Sequence, residues 1–342
     1  MIYVADTGNK RIQMFGVNSV FLHTLEVSAP APGQDGKDLP YQLQKPADIG
    51  VDAAGRIYVL DTGDDLVKVY DASGRFLRSF PGIKSPIALT VAEDGVYIAD
   101  ERSQTIRKYD FEGKLAYQFG SKGGGKSQNK EISGLASEKG QLFFIGDSER
   151  SLVNVFQTVA GARIEPVPHI AGRSSVKWLW NVGVDAVRLV GDGKGAVYAI
   201  SQQDDDGLLQ KLSDGKIVAE SRLKDMQPIA LALDHAGNIW VLDDAKKRLV
   251  NLDESGTELR SFGSRGGDAG QFSEPTALAV AASGLIFAAD RGNASVQVFR
   301  EDGVFLNKLT STAVKIENPI ALVFDCHPAP APRLALPPYP RV

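Results

Sequence analysis

Ile2-Tyr3-Val4-Ala5-Asp6 is a short apolar run that ends in a carboxylate, and the same pattern returns along the whole chain. It reappears as Ile57-Tyr58-Val59-Leu60-Asp61, Val96-Tyr97-Ile98-Ala99-Asp100 and Phe143-Phe144-Ile145-Gly146-Asp147. Ile239-Trp240-Val241-Leu242-Asp243 and Ile286-Phe287-Ala288-Ala289-Asp290 follow the same form, and Val197-Tyr198-Ala199-Ile200-Ser201 carries Ser in place of Asp. The last residues of successive runs are 55, 39, 47, 54, 42 and 47 positions apart. A period of roughly 40–50 residues belongs to repeated supersecondary units that bury their faces against one another.

Each unit divides into four short strands. An apolar segment precedes the run, often introduced by proline, as at Pro46, Pro86, Pro228 and Pro275. A glycine turn joins the two, at Gly55, Gly95, Gly140, Gly237 and Gly284. A third strand follows the run, as in Arg11 to Phe15, Val67 to Tyr70 and Val296 to Phe299. A second turn, such as Ser73-Gly74 or Asp302-Gly303, leads to a short fourth strand such as Phe76 to Phe80. Glycine turns between β-branched and aromatic runs are hairpin signals, and no segment sustains a 3.6-residue period. The expected fold is therefore all-β, a single closed β-propeller of four-stranded antiparallel blades. Seven units predict seven blades, with six as the alternative. One four-stranded sheet cannot cover both of its faces, but each blade packs on the next around a ring.

Composition agrees. Apolar residues are 43% and charged residues 23% of 342, a globular balance that excludes wholesale disorder. The single cysteine, Cys326, rules out an intrachain disulfide and a cysteine-rich metal site. Thirty-eight Lys and Arg face 42 Asp and Glu, a net charge of −4, which argues against nucleic acid as partner. No apolar run approaches the ~20 residues of a membrane span. The start at Met1 shows no basic and apolar signal segment, so the chain reads as soluble as written. A segment upstream would be missing from it, and localisation is left open.

Tyr3-Val4-Ala5-Asp6-Thr7-Gly8-Asn9-Lys10-Arg11-Ile12-Gln13-Met14-Phe15 resembles the signature of NHL-repeat propellers, as does Phe262-Gly263-Ser264-Arg265-Gly266-Gly267 through Gln271-Phe272 and Pro275. The resemblance runs from residue 2 to about 325, clearest around Asp6, Asp61, Asp100 and Asp290 and weakest around Ser201. It implies a binding scaffold, in a family whose propellers are commonly six-bladed.

The two ends complement each other. Met1 enters directly at a second strand, and 319–325 has the form of a first strand with no second strand after it. The expectation is that 319–325 closes the ring beside the N-terminal strands, giving a propeller over 1–327. The proline-rich tail 328–342 cannot continue a sheet and is expected to be disordered.

Strand parity puts the 2–3 and 4–1 connections of every blade on one face, including 28–42, 120–130, 161–178, 202–207 and 263–273. Long loops on a rigid scaffold are the usual place for binding residues. The acidic run Asp204, Asp205 and Asp206 and the aromatic residues Tyr41, Trp178 and Trp180 are the candidate binding residues there. Asp6, Asp61, Asp100, Asp147, Asp243 and Asp290 open the 2–3 turns on that face. They read as turn caps that accept backbone N–H groups, not as metal ligands, because Ser201 can replace them. His23, His169, His235 and His327 are scattered without ligand spacing, so no metal and no cofactor is expected. Asn181, Asp185 and Asn318 could be assembled into a lactonase-type calcium site, although their spacing does not demand it. Gly120-Ser121-Lys122-Gly123-Gly124-Gly125-Lys126-Ser127 fits a phosphate-loop pattern but lacks the helix that the chemistry needs.

The function expected is a non-enzymatic scaffold, and a monomer, that binds a protein or peptide, or a small ligand, on the long-loop face. Two alternatives stay open: a metal-dependent hydrolase or lyase of the lactonase or amidating-lyase propeller type with a central-channel site, and an RNA-binding propeller.

Overall fold

A computed structural model describes residues 1–16, 20–25, 41–80, 84–138, 142–147, 149–158, 176–182, 188–192, 194–213, 216–281, 283–309 and 316–324. These residues form seven four-stranded antiparallel sheets. Blade 1 is composite: Ile2–Asp6, Arg11–Phe15 and Phe21–Thr24 are completed by Pro319–Phe324, which lies antiparallel to Ile2–Asp6. Blades 2 to 7 open with the inner strands Pro46–Val51, Pro86–Ala92, Ile132–Glu138, Arg188–Gly191, Pro228–Leu233 and Pro275–Val280. Their outer strands are Phe76–Phe80, Leu115–Phe119, Val176–Val182, Lys216–Leu223, Glu258–Phe262 and Phe305–Leu309. The one helical element among the described residues is a single 3-10 turn, Thr7–Asn9.

The second strands read as unbroken apolar runs because both of their faces are buried. Ile2 and Val4 pack against Phe287 and Ala289 of blade 7. Tyr3 and Ala5, pointing the other way along the same strand, pack against Ile57 and Val59 of blade 2. Side chains alternate across a strand, so every blade contributes to the cluster on each side of it, and the core is seven inter-blade clusters around a ring. Full burial of one such Val, Ile or Tyr contributes about 1.5–3 kcal/mol.

The inner strands share a local irregularity. In blade 2, Pro46 pairs with Asp61 and Asp48 with Leu60, leaving Ala47 as an extra residue. The same shift recurs at Pro86/Ala88, Ile132/Gly134, Pro228/Ala230 and Pro275/Ala277. A bulge at a strand end twists the strand and re-aims its side chains, here at the rim of the central channel.

One loop expectation changes. The 202–207 connection is a tight hairpin: Gln203 pairs with Asp206, and only Asp204 and Asp205 form the turn. The phosphate-loop-like stretch runs into the inner strand Ile132–Glu138 with no helix. Its Lys122 and Asn129 form a parallel bridge, matching the parallel pair Ser264–Arg265 and Gln271–Phe272 in the 263–273 loop. Both are inter-blade loops of one design. The tail 328–342 and most of 28–42 and 161–178 lie outside the described residues.

Candidate functional site

The repeated Asp residues are buried, and Asp61, Asp147, Asp243 and Asp290 each grip two segments at once. Asp61 accepts the N–H groups of Gln44 at 2.7 Å, Lys45 at 2.6 Å and Gly63 at 3.2 Å. Asp290 accepts those of Ser273 and Glu274, both at 2.9 Å, and of Asn293 at 3.1 Å. Asp243 binds Gln227 and Ala245, and Asp147 binds Lys130, Glu131 and Arg150. Each therefore holds its own turn and also the segment that enters the inner strand of the same blade. A polar side chain two positions into the third strand often reaches the same carboxylate: Gln13 to Asp6 at 2.7 Å, and fully buried Lys68 to Asp61 at 2.7 Å.

The candidate binding residues do not come together. Tyr41 lies edge-on to Phe76 at 6.3 Å, and its carbonyl accepts the Tyr70 hydroxyl at 3.0 Å. Trp178 and Trp180 stand in the outer strand of blade 4, opposite Phe156 and Val155, and their side chains lie outside the description. Asp204 and Asp205 are exposed at the hairpin tip of blade 5. Asp206 pairs with Arg222 and accepts the Asp225 N–H at 2.7 Å, which holds its carboxyl below the ordinary range. His23 is in the outer strand of blade 1 and His235 in a turn of blade 6; His169 and His327 lie outside the described residues. Asn181 is on an outer strand and Asn318 precedes an inner one, so these two are not neighbours, and Asp185 is outside the described residues. Among the described residues no group of three His, Cys, Asp or Glu could hold a metal ion.

What the inner strands do enclose is a central cavity of about 380 Å³. It has the size of a small-ligand pocket. Three successive layers of the seven inner strands line it. The layer one step in from the Pro46–Asp61 pair is set by register: Asp48 opposite Leu60, Ala88 opposite Ala99, Gly134 opposite Gly146, and Arg188 opposite Ile200. Ala230, Ala277 and Ala321 complete it. The next layer is aliphatic, with Leu89, Leu135, Leu189, Leu231, Leu278 and Leu322 on the cavity wall. Small residues in one layer are covered by leucines of the following blade, which explains why five of these seven positions are Ala or Gly.

Asp48 and Arg188 break that pattern and are, among the described residues, the two charged side chains on the cavity wall. Asp48 Oδ2 accepts the Leu89 N–H across the blade boundary at 2.9 Å, and Oδ1 accepts its own neighbour Ile49 N–H at 2.9 Å. Asp48 is partly buried on the cavity wall. Burial pushes its carboxyl up to about 6, against the downward pull of the two N–H groups and of the Arg188 charge. Ser133 and Thr276 supply hydroxyls nearer the mouth, the latter bound to the Pro319 carbonyl at 2.7 Å. The arrangement can hold a small polar molecule by opposite charges at its ends and by leucines beneath it.

Asp48 and Arg188 are absent from the sequence-based candidates. The available signal was a column: with the inner strands aligned on the Pro and on the following Asp, they stand alone against Ala and Gly.

A family model described as "NHL repeat" matches residues 272–299. No curated protein matches the sequence. Among solved structures, the chain is similar to a putative 6-phosphogluconolactonase from Bacteroides fragilis, with TM-score 0.65 and 14% identity over 95% of this chain and 97% of that one. Apo AztD from Citrobacter koseri has TM-score 0.63 and 13% identity, with 94% and 97% covered. Virginiamycin B lyase from Staphylococcus aureus has TM-score 0.61 and 11% identity, with 82% and 88% covered. At these identities the likeness is one of fold.

Proposed function

We propose that the chain, a seven-bladed β-propeller with an NHL-repeat match over residues 272–299, is a non-enzymatic binding protein whose ligand is a small polar molecule, or the polar end of a peptide, seated in the central cavity. The observation that carries this is the placement of Asp48 and Arg188 in a layer that the fold fills with Ala and Gly. Five blades close that layer with no charge, so a carboxylate held near pH 6 by burial is not a packing requirement. Residues that break a local rule without structural need mark functional positions. A peptide partner entering the mouth would meet the exposed Asp204 and Asp205 on the same face, with Tyr41, Trp178, Trp180 and Asp206 as proposed rim contacts.

A second reading is a hydrolase or lyase with its chemistry in the channel. The Asp48 carboxyl, pushed up to about 6, could exchange a proton near neutral pH as a general acid or base, and lyase and lactonase names among the similar folds are consistent with it.

Thermal melting with a panel of small amines, carboxylates and amino acids tests the binding reading. A cavity ligand raises the melting temperature in proportion to its occupancy. Ala47→Trp, which fills the mouth, should remove that rise, and Asp204→Asn with Asp205→Asn should leave it for small ligands. Rises that persist after Ala47→Trp would contradict a cavity site.

A further inference from the structure

The geometry points to the group that anchors the ligand: a carboxylate, held by the backbone N–H groups of Leu231 and Leu278 between blades 6 and 7. This rests on the cavity reading above and specifies it. Asp48 supplies the precedent. Its carboxylate bridges two blades, with Oδ1 on the Ile49 N–H and Oδ2 on the Leu89 N–H, both at 2.9 Å. Ile49 stands opposite Val59 and Leu89 opposite Ile98, in each case the middle residue of the second strand. The inner strand is the edge of its sheet, and alternate residues of an edge direct their N–H groups away from the ladder. At this position the N–H therefore turns to the channel, and the gap between the N–H groups of two neighbouring blades matches one carboxylate.

The repeat copies that pair of donors. Leu231 stands opposite Val241 and Leu278 opposite Ala288, the same middle residues of blades 6 and 7, and both leucines line the cavity. Where blade 2 carries Asp48 opposite Leu60, blade 6 carries Ala230 opposite Leu242. Among the described residues no side chain accepts the N–H of Leu231 or Leu278. This boundary thus lacks the internal carboxylate of its counterpart, and the small Ala230 leaves room for one carried by a ligand. Charge favours the same boundary. On a ring of seven blades it lies three boundary steps from the one Asp48 bridges, the most the ring allows. It is one step from the boundary where Arg188 holds the position equivalent to Asp48. Arg188 acts on a carboxylate here as it acts on Asp48, by its charge through space; it keeps its own partners, because the bonds to the ligand come from the main chain. Hydrogen bonds from N–H to an ionised acceptor are roughly twice as strong as those to a neutral one, so a neutral amide of the same shape is the weaker ligand. The leucine wall beside the pair suits a short aliphatic body.

The test titrates the full chain with butanoate, butanamide and butylamine, by calorimetry and by proton–nitrogen NMR of protein labelled at leucine. Leu231→Ile and Leu278→Ile assign the two amides. Butanoate should bind at least about tenfold tighter than butanamide, the difference between a charged and a neutral acceptor. It should move the Leu231 and Leu278 amide protons downfield and leave Leu89, already bonded to Asp48, in place. Ala230→Asp builds the Asp48 arrangement into blade 6. In that variant the same two amides should move without ligand, and butanoate should bind about tenfold or more weakly. Melting curves report whether the variant is folded, and if it is not, the amide shifts of the unaltered chain carry the test. Butanoate binding that Ala47→Trp removes, with both amides unmoved, would overturn the N–H anchor and keep the cavity. Butanamide binding as tightly as butanoate would also overturn the anchor. So would failure of butanoate to bind while another small polar ligand shows a melting shift that Ala47→Trp removes. A protein in which no ligand responds to Ala47→Trp would overturn the cavity reading itself.

Discussion

Asp6 Oδ1 accepts the backbone N–H of Glu317 at 2.7 Å, joining positions 311 residues apart in the chain. In blades 2, 4, 6 and 7 the equivalent Asp takes up the segment that enters its own inner strand, about 16 residues upstream. In blade 1 that segment comes from the other end of the sequence, so the repeated turn bond becomes the latch of the ring. Gly8 N–H to the Glu317 carbonyl, at 3.0 Å, closes the latch from the other side.

The latch makes Gly8 a sensitive position. A Cβ there would lie 2.7 Å from the Glu317 carbonyl oxygen, whereas one at Gly124 meets nothing within 4 Å. Gly8→Ala should therefore lower stability by about 1–3 kcal/mol, the cost of forced overpacking. Gly124→Ala should stay within about 0.5 kcal/mol. Urea denaturation of the two variants checks this, and equal midpoints would mean that the ends are not pressed together.

The repeated Asp residues should differ in cost although they look alike in sequence. Removing Asp61 strands the buried Lys68 ammonium, which has Asp64 and the Gln42 carbonyl as its remaining partners. Asp61→Ala should cost about 3–5 kcal/mol, as for a broken buried pair, and Lys68→Met in the same chain should restore much of it. Asp290 binds N–H groups and the Asn293 amide, and Asp290→Ala should cost about 1–3 kcal/mol. Denaturation of the three variants gives the order, and a loss at Asp290 as large as that at Asp61 would refute it.

Stability should fall with rising pH through Asp48. Its carboxyl titrates near 6 in the fold, above the ~3.9 of an unfolded chain. The proton is therefore held more tightly in the native state, and the stability it brings is complete below about pH 4 and lost as pH rises through 6. Among the described residues Arg188 is the other charged group on the cavity wall, and it opposes the shift. Relative to Asp48→Asn, the wild-type chain should lose on the order of 1–2 kcal/mol between about pH 4 and 7, less than the full shift because Asp48 is only partly buried. Urea midpoints at both pH values measure it, and parallel curves for the two proteins would contradict it.

The ring was legible in the sequence because burial writes itself there. A strand covered on both faces must be apolar at every position, so Ile2 to Asp6 and its copies stand out, and Pro at the bulge and Gly at the hairpins frame them. The loop lengths were less legible. Gln202 to Gly207 holds polar residues that suggest a loop, yet Gln202 and Gln203 extend the second strand and only Asp204-Asp205 turn. The cavity was not legible through composition or motif, since Asp48 and Arg188 are 140 positions apart and share no local pattern. Only the register of each inner strand on its neighbour places them in one layer. Asp61, Asp147 and Asp290, which attracted notice at the turns, each accept three backbone N–H groups, and the Asp on the cavity wall is the inconspicuous one between Ala47 and Ile49.

The most direct measurement is the titration of the Asp48 carboxyl itself, by carbon NMR of protein labelled at Asp and assigned with Asp48→Asn. The free protein should show one carboxyl titrating near 6. A small amine or amino acid that raises the melting temperature should move that titration downward, because an ammonium beside the carboxylate favours its ionised form. A carboxyl that titrates near 4 and does not respond to any ligand that raises the melting temperature would contradict the assignment of this cavity as the binding site.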